Sequence, residues 1–174
     1  MKKLRFLCLL LLFIVVANVS LAVEALPAEK KLRITEVMAS NHETLEDAFG
    51  RYPDWLEIHN ASDEAISLEG VFISDKRNEP ERYAFPEGAV IQPREYIIVY
   101  ASGAKKDIMD EYHTSFKLSA AGEALYLSRD GILLDSMFFG AQESDISLAL
   151  NELDEYVQTL TPTPGYENQI TPVS

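Results

Sequence analysis

An all-β sandwich is the fold class this sequence predicts, and three observations lead there. Short segments rich in β-branched and aromatic side chains recur along the chain, alternating apolar with polar residues. Turn residues punctuate them about every 8–12 residues, giving roughly nine or ten short strands in one domain. The best helical stretch, residues 105–112, is only about two turns long.

Taken in order, residues 32–37 (Leu32-Arg33-Ile34-Thr35-Glu36-Val37) form the first strand. Its phase slips, because Ile34 and Val37 cannot face one side of a regular strand, and a bulge or strand end near Thr35-Glu36 reconciles them. Residues 41–51 are polar and end at Gly50. Two readings stand for them, a short helical turn and a loop.

The next strand, Trp55-Leu56-Glu57-Ile58-His59-Asn60, holds the only tryptophan of the chain. Pro53 opens it, and Asn60-Ala61-Ser62-Asp63 closes it with turn chemistry. Leu56 and Ile58 point to one side, and Trp55, Glu57 and His59 to the other. Residues 65–74 read as one strand kinked at Gly70, followed by a charged turn over 75–80 and a short strand over 82–85. Residues 90–94 read as a turn segment. Residues 95–101 are the most hydrophobic strand, a run that fits cover on both faces. Strands follow over 114–118, 124–128 and 132–139, the last two joined by Arg129-Asp130-Gly131 with its Asp-Gly hairpin signal. Residues 147–151 and 156–160 form a last pair.

The N-terminus has the layout of an export signal. Met1-Lys2-Lys3-Leu4-Arg5 is basic, residues 6–19 are apolar, and Ser20-Leu21-Ala22 offers small residues for cleavage. The rival reading is an uncleaved membrane anchor, for which the run is short of the ~20 residues a spanning helix needs. The expected organisation is a signal over 1–22, a linker over 23–31, the domain over 32–168 and a frayed tail over 169–174. The expected location is secreted or at the cell surface.

The chain has 174 residues, 47% of them apolar, and a net charge of −13. Removal of residues 1–22 takes away three basic residues and the only cysteine, Cys8, and leaves −16 over 152 residues. Such a chain repels nucleic acid and anionic lipid. Without disulfides, packing alone must hold it.

Segments in a shared order carry a family resemblance. They are Ile34-Thr35-Glu36-Val37-Met38-Ala39-Ser40-Asn41, Asp54-Trp55-Leu56-Glu57-Ile58-His59-Asn60, and Leu68-Glu69-Gly70-Val71-Phe72-Ile73-Ser74-Asp75. Phe85-Pro86-Glu87-Gly88, Tyr100-Ala101-Ser102-Gly103 and His113-Thr114-Ser115-Phe116-Lys117-Leu118-Ser119 follow. Gly122-Glu123-Ala124-Leu125-Tyr126-Leu127, Gln142-Glu143-Ser144-Asp145-Ile146-Ser147, and Thr163-Pro164-Gly165 with Asn168 close the series. Together they resemble the lamin-tail domain in the form found in secreted bacterial proteins, over about residues 32–168. The resemblance implies an immunoglobulin-like antiparallel β-sandwich that binds and does not catalyse. In nuclear lamins the domain serves binding, and in bacteria it accompanies exported hydrolases or spore-coat-type proteins. The chain departs from that pattern after Ser147, where Leu148-Ala149-Leu150 replaces an aromatic, Gly and Arg, and at Tyr156, where Trp is usual.

The residues themselves also fail to announce an enzyme. His42, His59 and His113 lack metal-motif spacing, and no HExxH, GxSxG or phosphate loop occurs. No cofactor is expected. His59 and Glu57 share one side of a strand, a spacing more often surface decoration than catalysis. Acids flank several turns (Glu36, Glu43, Glu46, Asp47, Asp54, Asp63, Glu64 and Asp75), so calcium is weighed against a solvated acidic face. The candidate binding residues are Trp55, Glu57, His59 and Tyr52, on the outward side of the tryptophan strand. Trp55 is either a contact residue or is covered by the 41–51 segment.

The functional expectation is an exported, non-enzymatic module that binds a protein at the cell surface or envelope. One alternative is carbohydrate or wall-polymer binding through Trp55, Tyr52 and Tyr83. Sugar stacking survives salt, whereas recognition of a basic protein by this acidic surface weakens. The other alternative is an accessory role in a metal-dependent hydrolase system. An unpaired sheet edge is a further route to a partner, by strand addition.

Overall fold

A computed structural model describes residues 31–173, and the expected signal and most of the linker lie outside the described residues. Twelve strands follow in order: β1 Leu32–Met38, β2 Trp55–Asn60, β3 Ile66–Ser67, β4 Val71–Ser74, β5 Tyr83–Ala84, β6 Val90–Ile91, β7 Tyr96–Tyr100, β8 Tyr112–His113, β9 Glu123–Arg129, β10 Ile132–Phe139, β11 Ser147–Leu150 and β12 Tyr156–Thr159. They form a six-stranded sheet, β12-β11-β1-β2-β7-β8, a four-stranded sheet, β10-β9-β4-β5, and a small β3-β6 pair. Every pairing is antiparallel except β7 with β8. The fold is the immunoglobulin-like β-sandwich that the sequence predicts.

The inner faces are closed by the residues the alternation assigns to them. Ile34, Val37, Leu56, Ile58 and Val99 of the large sheet meet Val71, Ile73, Leu125, Leu127 and Met137 of the small one in a single core. The expected bulge is present: the β1–β2 register shifts between Ile34 and Glu36, leaving Thr35 between them. That extra residue lets Ile34 and Val37 both face the core, and turns Glu36 and Met38 outward opposite Glu57 and Trp55. The β9–β10 hairpin turns on Asp130 and Gly131, both at positive φ (51° and 76°), as a two-residue turn of matching twist requires. Asn60 ends β2 by accepting from the Ser62 amide and donating to the Glu64 and Gln92 carbonyls.

Five expectations need correction, and the two readings of residues 41–51 resolve to one. No helix forms over 105–112: Met109 and Asp110 take left-handed φ (49° and 67°), and Asp107 accepts from the Tyr83 hydroxyl and the His113 amide. Residues 41–51 form a loop, in which the Asn41 side chain holds the Thr44 and Leu45 amides and the Leu45 and Pro53 carbonyls. Residues 65–74 are two strands in two sheets, because Gly70 at φ 69° redirects the chain after β3. Val90–Ile91, read as a turn, is a strand paired with β3. Of the strand expected over 114–118, only a bridge between Ser102 and Lys117 forms, since Thr114 turns back to the Phe116 carbonyl. Residues 169–172, expected to fray, lie along β12, with the Thr171 amide on Thr159 Oγ1 and the Leu160 amide on the Thr171 carbonyl.

Candidate functional site

The four residues singled out on the tryptophan strand do not form one site. β2 presents Trp55, Glu57 and His59 away from the core, and each meets a different fate. Trp55 is completely buried in a second apolar cluster with Met38 and Tyr100, against Leu45 and Ile98. Its cover is the 41–51 loop, held down by the Tyr100 hydroxyl on the Glu46 carbonyl (2.7 Å). Asp145 pins the same loop from the far end of the chain, accepting from the His42 and Glu43 amides and the Thr44 hydroxyl. Burial pushes the Asp145 carboxyl up, but these donors outweigh it and hold it below the usual carboxylate range. Trp55 Nε1 is buried without a hydrogen-bond partner. Tyr52 remains at the surface, with its hydroxyl on Glu46 (2.5 Å).

Glu57 is also fully buried, beside an equally buried Glu36 that stands directly across from it on β1. Segment 161–168 lies over the pair. Thr163 donates from its amide and hydroxyl to Glu36, the Gly165 amide donates to Glu57 (2.8 Å), and Asn168 ties the segment to the Thr35 and Leu150 carbonyls. The Ser147 hydroxyl completes Glu36, and the Thr35 hydroxyl completes Glu57 (2.6 Å). Burial, opposed by these donors, pushes both carboxyls up, that of Glu57 to about 8.

Tyr52 lines one open cleft, of about 310 Å³, with Arg51, Asp54 and Lys117, and of the three β2 residues only His59 reaches another, of about 240 Å³, lined by Arg33, Thr35, Arg94, Tyr96 and Glu167 among others. Its ring stacks on Tyr96 (centroids 4.0 Å apart), and burial together with Arg94 pushes its imidazole down. Both arginines are already paired, Arg33 with Asp154 and Arg94 with Asp63, so the cleft offers no uncompensated cation.

The acids weighed for calcium are likewise dispersed. Glu36 sits against Glu57, Asp47 against Arg51, Asp63 against Arg94, and Asp75 against Arg82. No group of three or more His, Cys, Asp or Glu that could hold a metal occurs among the described residues. A Ser102–His113–Glu111 relay was not legible in the sequence, which offers no spacing motif for it. His113 Nδ1 lies 3.0 Å from Ser102 Oγ, and Nε2 lies 3.3 Å from Glu111 Oε2. The imidazole is fully covered, and Glu111 also accepts the Ala48 amide. The relay therefore fastens three loops at one end of the sandwich.

The open binding geometry lies on the other sheet. β10 is an eight-residue strand at the sheet edge, and β9 is its only strand neighbour among the described residues. Along it Ile132, Leu133 and Phe138 are 66%, 54% and 66% exposed. Its one acid, Asp135, turns inward at a bulge and accepts the Ile34 amide. Beside the first half of β10 runs a groove of about 560 Å³, lined by Leu32, Ile66, Leu133 and Leu134 with Lys31 and Arg129. The exposed apolar residues of β10 were visible in the sequence, but their place on an edge was not.

The family model described as Lamin Tail Domain matches residues 26–141, two thirds of the chain. That family is a non-catalytic, immunoglobulin-like one. No curated protein matches.

Proposed function

This chain belongs to the lamin tail domain family, and from that premise we propose that it is an exported binding module which takes an extended segment of a protein partner along the free edge of β10. Export rests on the basic start, apolar run and small-residue site of residues 1–22. The observation that carries the binding mode is the edge itself: among the described residues no strand is hydrogen-bonded in register to the outer side of β10, where only the Ile34 amide reaches Asp135, and the strand presents Ile132, Leu133 and Phe138 and no outward acid. In a chain of net charge −13, this acid-free apolar strip is where an extended apolar segment loses least on approach. Strand addition gives main-chain hydrogen bonds for affinity and alternate side-chain contacts for specificity. The partner is a protein at the cell surface or envelope.

The carbohydrate alternative is left with Tyr52 alone, since Trp55 and Tyr83 are buried and offer no ring face to a sugar. The test is capture from the envelope of the producing cell, followed by amide exchange of the complex. A partner that protects the amides of Ile132–Phe139, and is lost on replacing both Leu133 and Phe138 by Lys, supports the reading. Protection confined to residues 48–52 or to the His59 cleft refutes it.

A further inference from the structure

The buried acid pair is the feature that neither the family nor the binding mode accounts for. Glu36 and Glu57 face each other across β1 and β2 with no exposure to solvent. Two carboxyl groups in such a place cannot both ionise without a cation or water to compensate them. Among the described residues no Lys, Arg or His forms an ion pair with either one. On β1, Thr35 supplies a hydroxyl; on β7, Ile98 stands opposite Glu57; and on β11, Ser147 and Ala149 stand beside Glu36. The titratable groups facing this region are His59 on β2, Tyr96 on β7 and Glu167 on the covering segment. Arg33 and Arg94 line the neighbouring cleft, engaged with Asp154 and Asp63.

The cover over the pair is light. It consists of Thr163, Gly165 and Asn168, with Pro164 between the first two, and it binds to the sheet largely through the two carboxyls. Water can reach the pair only where this cover lifts.

We propose that segment 161–168 is a proton-controlled clasp, seated on the sheet while the Glu36–Glu57 pair holds a proton and released as the pair becomes doubly ionised. Glu36 has three donors and Glu57 two, so the retained proton rests on Glu57. The raised Glu57 carboxyl sets the sign. A group that binds its proton more tightly in the seated state makes opening easier as pH rises, by up to tenfold per unit, from the exposed carboxyl's range until the seated group itself ionises.

The test is amide exchange at Thr163 and Gly165 between pH 5 and 9, in the purified protein and in Glu57→Gln, which keeps an acceptor for Gly165 and removes the charge. The ratio of the two rates cancels the intrinsic pH dependence of exchange. It is expected to rise at least a hundredfold from pH 5 to 8 and then to level. A ratio that stays within threefold overturns the proposal. So does exchange at Thr163 and Gly165 no faster than at core residues Leu125 and Leu127, because the segment then opens only with the whole fold. Should Glu57→Gln fail to fold, the Gln142 amide of the parent, bonded to the Ala120 carbonyl and not to a carboxyl, serves as the reference for Thr163 and Gly165 with the same criterion.

Discussion

Replacement of Trp55 by Ala separates packing from contact. The indole has no exposure and touches Met38, Tyr100, Leu45 and Ile98, so truncation opens a void under a loop that has no helix to stiffen it. Loss of a fully buried large aromatic costs about 3–5 kcal/mol. The upper part of that range is expected, because the 41–51 loop rests on the indole and on the Tyr100–Glu46 bond alike. Trp55→Phe sharpens the argument. It keeps most of the apolar contact and removes the Nε1–H that is buried without a partner, a group whose burial costs about 1–3 kcal/mol. The two effects offset, and a net loss of about 1 kcal/mol or less is expected. Urea unfolding followed by far-UV circular dichroism gives both numbers, provided the slope is unchanged. A Trp55→Ala loss below about 1 kcal/mol refutes the packing assignment, and a Trp55→Phe loss equal to that of alanine refutes the role given to the unpartnered N–H.

Two further predictions concern the covers and turns. Asp145→Asn, at a left-handed position that Asn tolerates, keeps an acceptor but loses the charge that orders the 42–44 amides; a loss of about 1–2 kcal/mol at pH 7 is expected. The folded carboxyl lies below its unfolded value, so its contribution is present above about pH 4 and is lost as pH falls. Urea midpoints of parent and variant are thus expected to converge toward pH 3. Gly122→Ala places a methyl 2.6 Å from the Phe139 carbonyl oxygen at a φ of 102°, and a loss above about 2 kcal/mol is expected in thermal unfolding.

What the sequence made legible was local. The slipped phase between Ile34 and Val37 foretold the bulge, Asp130-Gly131 foretold the hairpin, and the alternation in β2 assigned Leu56 and Ile58 to the core. What it hid arrives from far along the chain. Trp55 is covered by a loop that Asp145 pins, and Glu57 by a glycine 108 positions later. The helix over 105–112 failed because two non-glycine residues go left-handed there, a choice made by Asp107 binding across to Tyr83 and His113. The Glu36–Glu57 pair needed the bulge and the register together, and neither acid alone implied it.

The same long-range covering moves the proposed binding surface off β2. A strand that holds the sole tryptophan, a histidine and an acid draws attention to its outward side, yet that side sits in the middle of the larger sheet, between β1 and β7. There, neighbouring strands saturate its main chain, and the 41–51 loop and the 161–168 segment close over its side chains. A partner meeting β2 finds one half-buried histidine whose neighbouring cations are already paired. β10 is chemically plainer, but among the described residues it retains an outer edge with no paired strand and large apolar side chains in solvent, while its bulge and inward Asp135 limit how long a partner strand it accepts. Position in the sheet, rather than residue type, decides which of the two strands is free to bind.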